Sequence, residues 1–76
     1  MEKSYYLINP TKRRYYNLIF AKDLFGHWIL TKSWGSLDNA KGRIVHEYFE
    51  QVENSIQRIN HTIKLKLGRG YQTVNN

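Results

Sequence analysis

The side-chain period of this chain changes once, near residue 50, and that change limits what the chain folds into. Up to Phe49 apolar residues tend to alternate, the period of a strand whose successive side chains point to opposite faces. Beyond it Val52, Ile56, Ile59, Ile63 and Leu67 are spaced four, three, four and four apart, one apolar stripe on a helix. Strands followed by a single helix form a sheet covered on one face.

Four runs read as strands. Residues 5–8 form the first, which Asn9-Pro10 ends because Pro10 has no N–H for a ladder. Thr11-Lys12-Arg13-Arg14 is a basic connection. Residues 15–22 follow, with Tyr16, Leu18 and Phe20 on one side. Asp23-Leu24-Phe25-Gly26 is a short hairpin link, and Gly26 accepts a positive φ because it lacks Cβ. Residues 27–34 make the third strand, with Trp28, Leu30, Lys32 and Trp34 on one side; Gly35 then breaks the pattern. At that strand end Trp34 is either a core residue or a ring at the rim of the sheet. A loop over residues 36–42 leads to the fourth strand, residues 43–49. There Ile44, His46 and Tyr48 face one way and Val45, Glu47 and Phe49 the other.

Glu50 and Glu53 near the helix start, and Lys64, Lys66 and Arg69 near its end, suit the macrodipole. Gly68 is predicted to stop the helix, with Gly70 turning the chain back. Residues 71–74 would add a short edge strand or pack on the sheet, and Asn75 and Asn76 would fray. The expected fold is a single small α+β domain over residues 1–76, with a core at about 5–71 and a tail at 72–76. It is an antiparallel sheet of four to five strands with one α-helix packed on one face.

Catalytic readings find little support. With no Cys, disulfides and thiolate metal sites are excluded. His27, His46 and His61 lack metal-ligand spacing, and the carboxylates are scattered. Ser33 and Ser36 lack the frame of an activated serine. Gly68-Arg69-Gly70 follows a helix instead of opening one, so it is not a phosphate loop. The expectation is a non-enzymatic protein without cofactor or metal. No apolar run approaches the ~20 residues of a membrane span, and the N-terminus has no signal-peptide core. A soluble, cytoplasmic protein without membrane contact is expected.

The net charge of +6 points to a polyanionic partner, chiefly nucleic acid. The cations fall into three groups: Lys12, Arg13 and Arg14; Lys32, Lys41 and Arg43; Lys64, Lys66 and Arg69. The second flanks Trp34 in sequence. Phosphates attract the cations while a ring packs on an exposed sugar or base, which is what a nucleic-acid end requires.

The run Tyr15-Tyr16-x-Leu18, Trp28-x-Leu30-x-x-x-Trp34-Gly35, Gly42-Arg43, Phe49, the amphipathic helix and Gly70-Tyr71 resembles a WGR domain over about residues 5–71. It is similar to short bacterial members that share the Asp23-Leu24-Phe25-Gly26 hairpin and the Arg69-Gly70-Tyr71 ending. The resemblance implies an antiparallel sheet with one packed helix. It also implies the role such domains have in poly(ADP-ribose) polymerases, where they bind DNA ends and relay that binding to a catalytic domain. No polymerase catalytic domain is present, so ADP-ribosyl transfer is not implied. In the family the motif Trp contacts the DNA end and the motif Arg its backbone. Trp and Gly carry over onto Trp34 and Gly35, whereas Ser36 stands at the Arg position and lacks the forked cation. The expected nucleic-acid site, for DNA rather than RNA, is therefore Trp34, Gly35, Ser36, Lys32, Lys41 and Arg43, with Lys12, Arg13 and Arg14 as a secondary basic patch. The alternative is a protein-interaction or homo-oligomerisation module without nucleic-acid binding, to which Ser36 lends weight.

Overall fold

The computed structural model describes residues 2–74. Five strands and one helix follow in the order β1 (Lys3–Asn9), β2 (Arg14–Lys22), β3 (Trp28–Ser36), β4 (Gly42–Phe49), α1 (Val52–Gly68) and β5 (Gln72–Thr73). The strands form one antiparallel sheet in the order β4-β3-β2-β1-β5. The α+β architecture expected from the period change is present, and the tail supplies the short edge strand. Asn75 and Asn76 lie outside the described residues.

The β2–β3 hairpin is held by one side chain. Asp23 Oδ1 accepts the backbone N–H of Phe25 at 2.9 Å and of His27 at 2.8 Å. Gly26 takes a φ of +88°, which its missing Cβ permits. This turn sets the register that pairs Phe20 with Leu30, Leu18 with Lys32 and Tyr16 with Trp34. A slip of one residue would move every one of these side chains to the opposite face.

Leu7, Tyr16, Leu18, Phe20 and Leu30 on the sheet and Ile59 on the helix are the buried core. Burying each such Leu stabilises by about 1.5–3 kcal/mol. Trp28, Trp34, Phe49, Val52, Ile63 and Tyr71 pack around them. The opposite face of the sheet is open. Tyr6, Ile8, Tyr15, Ile19, Ile29, Ile44 and Tyr48 run along it with Ser, Thr and Asn between, and none of its strand positions is Lys, Arg, Asp or Glu. The charged strand residues sit on the helix side instead, which inverts the usual polar-out pattern of a one-sided sheet.

Three local expectations are corrected. The apolar stripe of α1 is rotated: Ile56 and Leu67 are exposed, while Ser55 is fully buried. A small residue there brings the helix close to the sheet, and the Ser55 hydroxyl satisfies itself by donating to the Val52 carbonyl at 2.6 Å. Gly68 is the last helical residue instead of the stop. Gly70 takes the left-handed conformation at φ +93°, and the N–H groups of Arg69 and Tyr71 both return to the Lys66 carbonyl. Gly35 does not end β3 but remains in the ladder, paired with Tyr15 on one side and Gly42 on the other.

Candidate functional site

The helix starts beside Phe49 on β4 and finishes beside β1, where the Asn9 amide donates to the Arg69 carbonyl at 3.2 Å. That diagonal leaves one corner of the helix-side face uncovered, where β3 ends and β4 begins. Two glycines shape the corner. A Cβ on Gly35 would lie 2.7 Å from the Lys41 carbonyl oxygen, and one on Gly42 would lie 2.7 Å from the Tyr15 hydroxyl and 2.9 Å from the Trp34 carbonyl oxygen. These are closer than carbon and oxygen tolerate, so both positions require glycine. On the open face, the ring of Tyr15 lies against this glycine pair.

On the other face of the same corner is a cleft of about 320 Å³ lined by Arg14, Trp34, Gly35, Ser36, Asn39, Lys41, Gly42 and Arg43. Its lining contains three cations, one tryptophan and no carboxylate. Each cation comes from a different segment: Arg14 from the start of β2, Lys41 from the β3–β4 loop and Arg43 from β4. Arg14 is directly opposite Ser36 in the β2–β3 pair, so their side chains lie side by side.

Trp34 combines the two roles left open by the sequence. Its ring stacks on Tyr16, with centroids 5.7 Å apart and planes within 13°, and it also lines the cleft. Beneath it the Lys66 ammonium lies 4.3 Å from the Tyr16 ring centre and 5.3 Å from that of Tyr71. Cation–π contact stabilises an ammonium held in this way. Burial, then the positive charges of Arg69 and Arg14, lower the Lys66 pKa below the usual lysine value. Burial, then the negative field of Glu47 and the Tyr71 hydroxyl, raise the Tyr16 phenol.

The nine expected site residues divide. Trp34, Gly35, Ser36, Lys41 and Arg43 converge on the cleft. Lys32 does not: it lies under the helix in an ion pair with Glu47 Oε1, and its side chain is 18% exposed. Arg58 Nη1 approaches Glu47 Oε2 at 3.3 Å, so this trio joins sheet to helix. Of the secondary patch, Arg14 belongs to the cleft. Arg13 points elsewhere, with Nε 2.8 Å and 3.1 Å from the two Asp38 carboxylate oxygens. Its carbonyl accepts the Leu37 N–H at 2.9 Å, so it braces the β3–β4 loop against the β1–β2 turn. Lys12 remains exposed outside the cleft lining. The Ser36 hydroxyl accepts the Asp38 N–H at 3.0 Å, and Asn39 accepts that of Lys41 at 2.9 Å, which fixes the loop that carries Lys41.

Charge is segregated along the 39 Å length of the molecule. Seven of the twelve cations, Lys12, Arg13, Arg14, Lys41, Arg43, Lys66 and Arg69, lie at the cleft end, where among the described residues the only acid is Asp38, paired with Arg13; Lys3 and Lys22 lie at the other end. Glu2, Asp23, Glu50 and Glu53 lie at the hairpin end, beside the exposed Leu24 and Phe25. No helix is long and apolar enough to cross a membrane among the described residues.

Sequence reasoning missed Arg14, Asn39 and Gly42 as cleft residues. The signal for Arg14 is the hairpin register, since a turn over residues 23–27 carries the pairing back to Arg14 and Ser36. The family model described as WGR domain matches residues 3–76. No curated protein and no solved structure matches the chain.

Proposed function

The chain belongs to the WGR domain family, and from that premise we propose that it is a non-catalytic module that binds DNA at the cleft between β2, β3 and β4. The family supports the coarse reading, since WGR domains are nucleic-acid-binding modules of proteins related to poly(ADP-ribose) polymerases. The observation that carries the finer reading is the cleft itself: three cations from three segments around one tryptophan, with no acid in the lining. In this reading residues 1–76 act as one module. Trp34 packs on a sugar or base at a strand end while Arg14, Lys41 and Arg43 contact phosphates. Ser36 and the Gly35 and Gly42 backbone let the nucleic acid approach closely. Lys32 is left to its ion pair.

The test is fluorescence anisotropy with a short 5′-phosphorylated duplex at low salt. Three phosphate contacts predict that log K falls against log salt with a slope of about −2 to −3. Lys41→Gln with Arg43→Gln flattens that slope, and both side chains are exposed, so the fold is retained. Trp34→Ala loses about 1–3 kcal/mol of binding. Affinity indifferent to salt, or unchanged in both variants, overturns the reading.

The second reading, a protein-interaction module without nucleic acid, draws on Leu24 and Phe25, which are 99% and 85% exposed at the hairpin tip. These residues lie at the opposite end from the cleft, among the acids. A duplex that fails to bind at any salt concentration would favour this reading.

A further inference from the structure

A sheet edge presents unpaired N–H and C=O groups, and natural proteins blunt such edges with short strands, prolines, bulges or lysines. The two edges of this sheet differ. On one side the last strand, β5, has only two residues, Gln72 and Thr73. On the other, β4 has eight residues and pairs with β3 without a bulge from Gly35↔Gly42 to Trp28↔Phe49. It contains no proline and no lysine. Among the described residues, nothing pairs with its outer edge. Ile44 and Tyr48 are 66% and 67% exposed, and Val45 is 41% exposed. Its two charged residues, Arg43 and Glu47, stand on the helix side, Glu47 in ion pairs with Lys32 and Arg58, so the open face of this edge carries apolar side chains and no charge and is a pairing surface.

We infer that β4 pairs with β4 of a second copy of this chain, antiparallel across a two-fold axis at His46. An isologous antiparallel pair keeps both faces in order only if paired residues share parity, so the axis falls on one residue. Centred on His46, the ladder runs from Arg43 to Phe49 and sets Ile44 against Tyr48 twice on the open face. Cross-strand pairs of an aromatic with a β-branched residue stabilise a sheet. Centred on Val45, it would set Tyr48 against Gly42 and leave the ring without a partner. Centres nearer either end shorten the ladder.

Charge favours the same arrangement. Two copies of a +6 chain repel, but the open face has no charged strand position, and seven of the twelve cations lie at the cleft end. Antiparallel pairing puts the two cleft ends at opposite corners of the dimer, as far apart as this edge permits. The product is a continuous ten-stranded sheet with one basic cleft at each of two corners. The inference does not depend on what the cleft binds.

The chain has no cysteine, so single cysteines report the register directly. A disulfide needs Cα atoms about 4.4–6.8 Å apart. At the two-fold axis His46 faces its own copy within that range, whereas two Ile44 residues are four positions apart, about 13 Å. Under mild oxidation His46→Cys is expected to give a covalent dimer and Ile44→Cys alone is not. Ile44→Cys mixed with Tyr48→Cys crosslinks. By sedimentation velocity the unmodified chain dimerises with rising concentration, and Ile44→Lys with Tyr48→Lys stays monomeric with an unchanged circular dichroism spectrum. These side chains lie outside the core, so the fold tolerates the change. A chain that sediments as a monomer throughout the micromolar range overturns the inference, and so does crosslinking that is equal at all three positions.

Discussion

Arg14 and Ser36 are one cross-strand pair, and Arg14 adds a second guanidinium beside Trp34 to that of Arg43, which stands directly opposite the tryptophan. The position two after the tryptophan has a hydroxyl that is engaged with its own loop, while the guanidinium stands on the neighbouring strand. If Arg14 supplies the charge, moving it should be tolerated. Arg14→Ala is expected to weaken duplex binding several-fold and to reduce the salt slope by about 1. Adding Ser36→Arg to that variant restores much of both. The contrasting variant is Lys32→Gln: it breaks a half-buried ion pair with Glu47, so it lowers the melting temperature while the salt slope stays as it was. Anisotropy titrations over several salt concentrations, beside thermal melts, separate the three. A restored affinity without a restored slope would count against the pairing of roles.

Among the elements, the hairpin is the most local and the most testable. Burial pushes the Asp23 carboxyl up, but the N–H groups of His27 and Phe25 and the charge of the His27 ring outweigh it and hold Asp23 below the usual carboxylate value. A carboxyl held low in the folded state stabilises above its unfolded pKa, and that stability is lost as pH falls through the folded value. Asp23→Ala should therefore melt below wild type at neutral pH, and the gap should narrow in acid. An equal gap at both pH values would mean that the carboxylate charge contributes nothing.

This hairpin was legible in the sequence, as were the strands and the helix, because turn chemistry and period are local properties. What was not legible depends on how the elements meet. The helix buries Ser55 and leaves Ile56 exposed because close approach to the sheet favoured a small residue over the apolar stripe. Gly35 read as a strand breaker because a glycine carries no pairing signal, yet the Lys41 carbonyl packed against it is what requires it. Lys32 read as a site cation because Glu47 lies fifteen residues away in sequence but opposite Leu30 in space, next to Lys32 along β3. The composition of the cleft was mostly readable. Its geometry came from a diagonal helix that no local pattern specifies.

The whole molecule is an elongated body with seven of its twelve cations at the cleft end and four of its six acids at the hairpin end. Fields of this kind act mainly on encounter, so salt should slow association with a duplex far more than it speeds dissociation. Stopped-flow measurements at several ionic strengths check this. An association rate that is flat while dissociation rises would place the charge effect in the bound complex instead. The separation of charge also acts before contact. A protein polarised along its long axis experiences a torque in the field of a polyanion, effective within about one Debye length, ~8 Å at physiological salt. Within that range it is turned cleft-first, and the hairpin with Leu24 and Phe25 is left pointing into solvent.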